Sequence, residues 1–255
     1  MYNNEELLLD LRLNILSKYV KKFILVESTI DHQGNKKKNF FKIENFNKFK
    51  DKIIHLKIED FPKELSGTWE RENFQRNYIS KSINNLLDND YIIISDIDEI
   101  PNFDNLMNFE KYRFTAFQQS NFCYKFNIKN ITYPIWYGSK LCKKKYLKSP
   151  QWLRNQKVKE YSFFQFYKIK WNIIKNGGWH FSFLMHPTEI KKKIKSFAHD
   201  EFNKKEFLEI NEIEKKIKLG EDLFNRDQKY IKVELDNNFP KQIFDNIDKY
   251  KEWIA

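Results

Sequence analysis

The stretch Tyr91-Ile92-Ile93-Ile94-Ser95-Asp96-Ile97-Asp98-Glu99-Ile100-Pro101 decides the fold, because an apolar run leads directly into three carboxylates. Apolar residues bounded by polar ones predict a buried strand. Carboxylates that follow such a strand are costly, since desolvation and mutual repulsion raise their pKa values unless a positive group joins them. A divalent cation removes both costs, and oxygen ligands suit Mg²⁺ or Mn²⁺. The alternative is a solvated acidic turn that caps a helix beginning at Pro101.

Helices and strands alternate before this stretch, and longer strands follow it. The spacing of apolar residues predicts a helix at 7–15, strands at 23–26 and 53–56, a helix at 69–87, and antiparallel strands at 114–128 and 131–147. Further helices are expected at 187–197, 210–217 and 240–255. The alternation favours an α/β fold in one domain, with a mostly parallel central sheet, flanking helices and a smaller antiparallel part.

The composition excludes several classes of protein. The 24 Phe, 13 Tyr and 6 Trp among 255 residues supply a core, so the chain is not disordered. The cysteines Cys123 and Cys142 are too few for a disulfide framework and lack zinc-site spacing. No apolar stretch approaches the length of a membrane-spanning helix, and the polar N-terminus does not resemble a signal peptide. We therefore expect a cytoplasmic protein without a transmembrane segment.

The formal net charge of +11 favours anionic partners such as nucleic acid, nucleotides, an anionic membrane surface or acidic glycans. The alternative is compositional drift, since Lys, Asn, Ile and Phe are abundant and Ala and Val are sparse, as in AT-rich genomes. The basic clusters at 36–38, 143–145 and 191–193 are dispersed and match no nucleic-acid-binding motif. We therefore expect no stable nucleic-acid partner.

Three further segments carry candidate functional residues. Gly177 and Gly178 precede Trp179-His180, and paired glycines allow either close approach to a ligand or an ordinary hairpin turn. His199-Asp200-Glu201 offers a metal ligand beside a general base, or else a helix end followed by a solvated loop. Arg76 lies on a helix of mixed charge, which is either a solvated face or a source of contacts to a pyrophosphate.

Taken together and in this order, these segments resemble glycosyltransferase family 17, whose animal members add the bisecting N-acetylglucosamine to N-glycans. The resemblance extends from near Met1 to about Arg226. It is carried by Tyr2-Asn3-Asn4-Glu5-Glu6-Leu7 to Leu13, Phe23 to Ser28, Trp69-Glu70-Arg71-Glu72 with Arg76, Ile94 to Pro101, Gly177 to Ser182, Ser196 to Glu201, and Gly220-Glu221-Asp222-Leu223-Phe224.

The resemblance implies a GT-A-like fold and inverting, metal-dependent transfer of a sugar, expected to be N-acetylglucosamine, from a UDP-sugar to a glycan acceptor. Mn²⁺ (or Mg²⁺) is the implied cofactor. The expected metal ligands are Asp96, Asp98 and His199, and Glu201 is the first candidate for the catalytic base, with Asp200 second. The residues expected to bind the nucleotide sugar are Glu27, Arg76, Asp96, Gly177, Gly178, Trp179 and His180.

The sequence departs from the family pattern at its start. Family members begin with a strand ahead of the Asn-Glu segment, and this sequence begins at Met1 with almost none of it. We therefore expect the GT-A-like domain at 1–230 to lack its first strand, followed by a helical tail at 231–255 packed on it. The animal members' membrane anchor is also absent, which fits a bacterial or viral context and leaves the acceptor open.

Two other functions compete with this interpretation. A nucleotidyltransferase also uses paired carboxylates and a metal ion on an α/β sheet, but it releases pyrophosphate. A basic nucleic-acid-binding protein without enzymatic activity accounts for the charge alone, and its binding would weaken steeply with salt.

Overall fold

The apolar run before the carboxylates forms a strand, as predicted, in the computed structural model of the chain, which describes residues 1–62, 64–159 and 169–255. Strands β1 to β12 are Phe23–Ser28, Ile53–Ile58, Tyr91–Ile94, Glu99–Pro101, Phe114–Phe117, Gln119–Cys123, Ile128–Asn130, Ile135–Trp136, Lys140–Lys143, Trp171–Ile174, Gly178–Ser182 and Tyr230–Lys232. Helices α1 to α8 are Glu6–Leu16, Thr68–Asn77, Ser80–Ile83, Pro150–Asn155, Pro187–Ser196, Ile210–Leu219, Lys241–Asp245 and Ile247–Tyr250. The α/β class predicted from the sequence is confirmed.

The expectation of a mostly parallel sheet is wrong. The strands of the described residues form a parallel pair β1-β2, a mixed sheet β10-β5-β9-β3, and a mixed sheet β12-β7-β6-β11-β4 to which β8 adds beside β6. Parallel pairing joins β1 to β2, β10 to β5 and β11 to β6, and every other pairing is antiparallel. Seven strands follow one another between Tyr91 and Lys143 without an intervening α-helix. Parallel neighbours need a long crossover connection, so these short connections favour antiparallel pairing.

Several predicted elements are shorter in the structure than their sequence patterns suggested. The helix predicted at 69–87 consists of α2 and α3, and the long strands predicted at 114–128 and 131–147 are divided among β5 to β9. The division between β5 and β6 occurs at Gln118, whose backbone N–H donates to Ile174 O and whose carbonyl accepts from Gly177 N. The chain thereby passes from one mixed sheet to the other.

The largest apolar cluster packs α1 against the sheet that contains β6 and β11. Leu11, Leu13, Phe126 and Phe181 are buried there. The segment after residue 230 begins within β12, which pairs with β7. Later in this segment, Ile243 and Tyr250 are buried in the same apolar cluster. The proposed boundary at residue 230 stays a prediction. No helix in the described ranges has the length and apolar character needed to cross a membrane.

The carboxylate-rich segment is fixed to helix α1 by Arg12. Its guanidinium donates to the carbonyl oxygens of Asp96 at 3.0 Å and Glu99 at 2.5 Å, and also to Ser95 Oγ. These bonds hold the turn between β3 and β4 at the carboxyl end of β3. Open α/β sheets bind ligands at such strand ends, and the candidate site lies there.

Gly177 and Gly178 allow the backbones of neighbouring strands to approach closely. A Cβ on Gly178, which has φ of +127°, would lie 2.1 Å from Ile100 O, and one on Gly177 would lie 2.6 Å from Ile174 O. Both contacts are far shorter than any real Cβ makes. Gly178 is therefore required by the packing of β11 against β4, and Gly177 by the close approach of the turn after β10 to the chain at Phe117 and Gln118.

We expect Gly178→Ala to lower the free energy of unfolding by about 3 kcal/mol, because the methyl group meets rigid backbone and the residue has positive φ. Gly67→Ala is the control, since its nearest neighbours are flexible Glu70 side-chain atoms at 3.4 Å and its φ is −84°. That change should cost less than about 1 kcal/mol. Urea titration measures both, and a Gly178→Ala protein as stable as the wild type would contradict the packing role.

Candidate active site

A cleft of about 560 Å³ lies at the carboxyl ends of β1 and β3. Its walls come from the carboxylate-rich turn, helices α2 and α4, and the end of α5. Four residues predicted from the sequence line it: Arg76, Asp96, Asp98 and His199. The fold therefore brings together segments that are about 120 residues apart in the chain.

Asp96 is held by two arginines. Its Oδ1 lies 3.2 Å from Arg76 Nη2, and its Oδ2 lies 2.9 Å from Arg154 Nη2. Burial alone would raise the pKa of Asp96, but the charges of Arg154 and Arg76 outweigh it and hold that pKa well below the ordinary value of 3.8. Both oxygens of this carboxylate are thus engaged by guanidinium groups.

Arg154 also neutralises Glu99, which lies beneath Asp96 and is only 1 % exposed. Its guanidinium nitrogens lie 2.8 Å from Glu99 Oε1 and 3.0 Å from Glu99 Oε2. Trp136 Nε1 donates to Glu99 Oε1 at 2.6 Å. Gly138 completes this arrangement, because a Cβ there would lie 1.9 Å from Glu99 Oε1. Glu99 is therefore a buried support of the site.

Sequence reasoning missed Arg154, since no motif surrounds it. The Ser149 side chain caps α4 by accepting from Trp152 N, with Pro150 in the first turn, so that Arg154 stands near the end of the helix. Lys140 Nζ then donates to the carbonyls of Arg154 at 2.5 Å and Gln156 at 2.7 Å. The Ser-Pro signal predicts a helix start, but it does not reveal which carboxylates the arginine meets.

Asp98 differs from Asp96 in its surroundings. Its Oδ2 lies 3.8 Å from Lys193 Nζ and 3.9 Å from His180 Nε2, distances too long for hydrogen bonds. Lys193 is shared with Glu5, whose Oε1 is 3.5 Å away, and despite burial these carboxylates raise the pKa of Lys193. In the described part of the chain, the Asp98 carboxylate accepts no side-chain or backbone hydrogen bond.

The protonation of His180 follows from its other ring nitrogen. The Asn121 side chain donates from Nδ2 to Tyr133 O at 3.0 Å, so its Oδ1 is the atom that faces His180 Nδ1 at 3.0 Å. In the neutral ring Nδ1 then carries the proton, and Nε2 presents a lone pair towards Asp98. The ring stacks on Trp136 with centroids 4.7 Å apart, which fixes its plane.

Two electron-pair donors therefore face each other across 3.9 Å. Adjacent ligands of an octahedral cation with bonds of about 2.1 Å are about 3.0 Å apart, so a shift of either side chain by about 1 Å would bring both onto one divalent cation. A ligating histidine usually donates its other N–H to a fixed acceptor, as His180 does to Asn121. The described residues contain no group of three or more His, Cys, Asp or Glu arranged to hold a metal ion. Mg²⁺ and similar ions commonly take one or two protein ligands and complete their shell with phosphate oxygens and water. The residues present fit such an ion.

His199 and Glu201 form a pair at the edge of the cleft. His199 Nδ1 lies 2.7 Å from Glu201 Oε1, and the His199 ring meets the edge of Trp69 at 4.6 Å between centroids. His199 and Trp69 line the cleft, whereas Glu201 is not among the described lining residues and contacts the Nδ1 atom of His199. The side chain of Asp200, the other predicted base, lies outside the described part of the structure.

Glu27 lies under the cleft wall and is fully buried. It accepts from the backbone N–H groups of Phe40 at 2.5 Å and Phe41 at 3.3 Å, and His55 Nε2 is 3.2 Å away. Burial would raise the pKa of Glu27, but these hydrogen bonds outweigh it and lower that pKa. Its neighbour Lys37, 4.0 Å away, lines the cleft.

The remaining predicted residue, Trp179, is buried in the main apolar cluster and donates from Nε1 to Asn238 O at 2.7 Å. Of the described residues, those that line the cleft do not include Glu27, Gly177, Gly178, Trp179, His180 or Glu201, and His180 reaches the cleft through Asp98. The structure thus separates the sequence candidates into cleft residues and residues that support the fold around them. Which of them bind substrate stays a prediction.

We expect Arg154→Met to lower the free energy of unfolding at pH 7 by about 3 kcal/mol, because it leaves buried Glu99 without its cation. Since the pKa of folded Asp96 lies below 3.8, its ion pairs stabilise the fold above about pH 4 and lose this effect as the pH falls. The difference from the wild type should therefore shrink at about pH 3.

Urea titration at both pH values measures this difference. The exposed Arg113, whose guanidinium lies 5.3 Å from the centre of the Tyr146 ring, provides the control Arg113→Met, which should lower the free energy of unfolding by less than about 1 kcal/mol. Equal costs for the two variants at pH 7 would contradict the bridging role of Arg154.

Comparison with known proteins gives one match. None of the curated proteins matches the chain, and no solved structure does either. The sequence profile of glycosyltransferase family 17 matches residues 1–235 of the 255, a span that includes every residue of the cleft described above. The chain therefore belongs to glycosyltransferase family 17 and is a glycosyltransferase, as its resemblance to that family predicted.

Proposed function

We propose that this glycosyltransferase is an inverting, metal-dependent enzyme of GT-A type that transfers N-acetylglucosamine from UDP to a glycan acceptor. The observation that carries the proposal is the pair Asp98 and His180, whose Oδ2 and Nε2 atoms are 3.9 Å apart at the point where Asp98 lines a cleft large enough for a nucleotide sugar. Family membership supplies the reaction class. The donor, the acceptor and the metal ion are expectations that the following experiments test.

The charge of the cleft supports metal dependence. Its described lining has five carboxylate side chains and four cationic ones, namely Glu5, Asp31, Glu72, Asp96 and Asp98 against Lys37, Arg76, Arg154 and Lys193. The Met1 ammonium, whose pKa is lowered by burial, is a further cationic group of this lining, so the lining has no excess of positive charge to receive the two or three negative charges of a diphosphate. A divalent cation bound by Asp98 and His180 would offset those charges and stabilise the leaving diphosphate. Asp96 stays with its arginines in this arrangement.

The proton of the acceptor hydroxyl can be taken at the opposite edge of the cleft. Because Glu201 accepts from His199 Nδ1, the neutral ring presents its Nε2 lone pair. A histidine oriented by a carboxylate is a common general base. We propose that His199 and Glu201 act as this unit, so that Glu201 orients the ring and stabilises its protonated form.

The cleft offers the acceptor sugar an aromatic surface beside His199. Trp69 lines the cleft and is 47 % exposed, with its ring in contact with His199. Tryptophan offers a flat apolar face with a polar N–H at its edge, which suits the mixed faces of a sugar ring. We propose that Trp69 contacts the acceptor sugar.

The reaction class is tested by supplying UDP- and GDP-sugars with Mn²⁺ and measuring nucleotide release with and without glycan acceptors. We expect release of UDP from UDP-N-acetylglucosamine that increases with acceptor. Release of pyrophosphate would instead indicate nucleotidyl transfer.

We expect Mn²⁺ and UDP to tighten each other's binding by the same factor, since linkage is reciprocal. Asp98→Asn and His180→Gln should each weaken Mn²⁺ binding at least about 10-fold, and Asn121→Ala, which frees the His180 ring, about 10-fold. Calorimetry and Mn²⁺ electron paramagnetic resonance measure these changes.

The control is His186→Gln, because that histidine is 53 % exposed and lies beside Glu252 outside the cleft. It should bind Mn²⁺ and UDP like the wild type. Equal UDP affinity in Mn²⁺ and in EDTA would contradict the proposed cation.

We expect Glu201→Gln and His199→Ala to lower turnover by about 10²–10⁴, the usual contribution of general-base catalysis, while UDP and Mn²⁺ affinities remain. Excess Mn²⁺ should restore activity to neither variant if they form the base, but it should partly restore His180→Gln. Recovery of His199→Ala in excess Mn²⁺ would identify His199 as a metal ligand. Normal turnover in Glu201→Gln alone would contradict the orienting role of Glu201, and normal turnover in both variants would pass the role of base to Asp200, tested by Asp200→Asn.

A further inference from the structure

The segment after β1 contains two buried polar atoms that the fold leaves without hydrogen bonds. Among the described residues, the buried side-chain atoms without a hydrogen-bond partner are Lys37 Nζ and Asn39 Oδ1. Native proteins pair almost all such atoms, so each exception requires an explanation. Lys37 is of interest because it also lines the cleft.

The backbone of Lys37 is fixed in place. Its N–H donates to Thr29 O at 2.8 Å, and Ile30 and Lys36 form an antiparallel bridge beside it. The side chain is 14 % exposed, with Nζ 4.0 Å from Glu27 Oε1 and 5.3 Å from the centre of the Phe40 ring. The ammonium group therefore has a countercharge and an aromatic neighbour, but its three N–H donors have no acceptor.

Glu27 is occupied by the same segment. Its oxygens already accept from Phe40 N and Phe41 N and lie against His55, as described above. Glu27 is also absent from the described residues that line the cleft. It orders the segment that carries Lys37, and Lys37 is the cleft residue with which it forms an ion pair among the described residues.

We propose that Lys37 Nζ binds an oxygen of the nucleotide half of the sugar donor, and that Glu27 is a positioning residue that holds Lys37 for this contact. Burial without hydrogen bonds costs stability, and an oxygen acceptor entering the cleft removes that cost. The four-carbon stem lets Nζ turn from Glu27 towards the cleft. The inference rests on the proposed function, because it takes the ligand to be a nucleotide sugar.

The nucleotide oxygen that accepts the hydrogen bond from Lys37 belongs either to the nucleoside (the nucleobase or the ribose) or to the phosphates. Titration calorimetry with uridine, UMP and UDP at saturating Mn²⁺ distinguishes these sources, using wild type, Lys37→Met and Lys36→Met. Lys36 is the matched control, because it is the preceding residue and is exposed. A loss with all three ligands assigns the contact to the nucleoside, and a loss that appears only with UMP or UDP assigns it to phosphate.

We expect Lys37→Met to bind the nucleotide about 10-fold more weakly than wild type, and Lys36→Met to bind within about twofold of it. The melting temperature of Lys37→Met should change little, because Glu27 loses a countercharge but keeps His55 and two backbone N–H donors, and the change also removes an ammonium that lacks hydrogen bonds among the described residues. Lys37→Gln is the second variant should Lys37→Met not fold, and Lys37→Arg, which keeps the cation, should retain most of the affinity.

The role of Glu27 is tested by non-additivity. If Glu27 acts through Lys37, Glu27→Gln weakens nucleotide binding in the wild type but adds no further loss to Lys37→Met. Additive losses would show that Glu27 acts independently of Lys37 and would overturn that half of the inference.

The two proposals fail in different ways. A wild-type protein that binds none of the three ligands contradicts the proposed function and, with it, this inference. A wild-type protein that binds UDP, with Lys37→Met and Lys36→Met equal to it, overturns the inference alone.

Discussion

The site depends on one guanidinium group that neutralises two carboxylates. Arg154 lies within 3.0 Å of oxygens on both Asp96 and Glu99, and Glu99 has almost no contact with solvent. Without that cation, desolvation and mutual repulsion would favour protonation of one of the two acids. The turn after β3 can therefore carry three acidic residues only because a helix from another part of the chain supplies Arg154. The position of Asp98 follows from that turn.

The three acids consequently have three different tasks. Glu99 is a buried support bound by Arg154 and Trp136, Asp96 is neutralised by two arginines, and the Asp98 carboxylate accepts no hydrogen bond from the described residues. A pattern of closely spaced carboxylates suggests that its members share one role. The contacts instead leave Asp98 as the acid available for a cation, with His180 as the facing nitrogen.

Local sequence signals predicted the parts of the fold that depend on local physics. The apolar run before Asp96 is a strand, the helix begun by Pro187 is present, and Gly220 ends its helix with φ of +66°. Strand direction could not be predicted in this way, because pairing depends on connections and partners far apart in sequence. The same limit applies to the site: Arg76 and Asp98 belong to recognisable motifs, whereas Arg154 has a role only through contacts across more than 50 residues.

Among the described residues, several polar groups with few partners lie at or beside one cleft, and that distribution is itself informative. Asp98 and His180 Nε2 face each other without a hydrogen bond, and Lys37 Nζ is buried without one. Folding alone would select against such groups, since each costs stability that a paired or apolar residue would not. Around them the fold satisfies Asp96, Glu99 and Glu27 with several donors each. The contrast separates two sets of polar residues. The satisfied set anchors the walls of the cleft, and the proposed function assigns the other set, a carboxylate, an imidazole lone pair and an ammonium, to a cation and an oxygen-rich nucleotide.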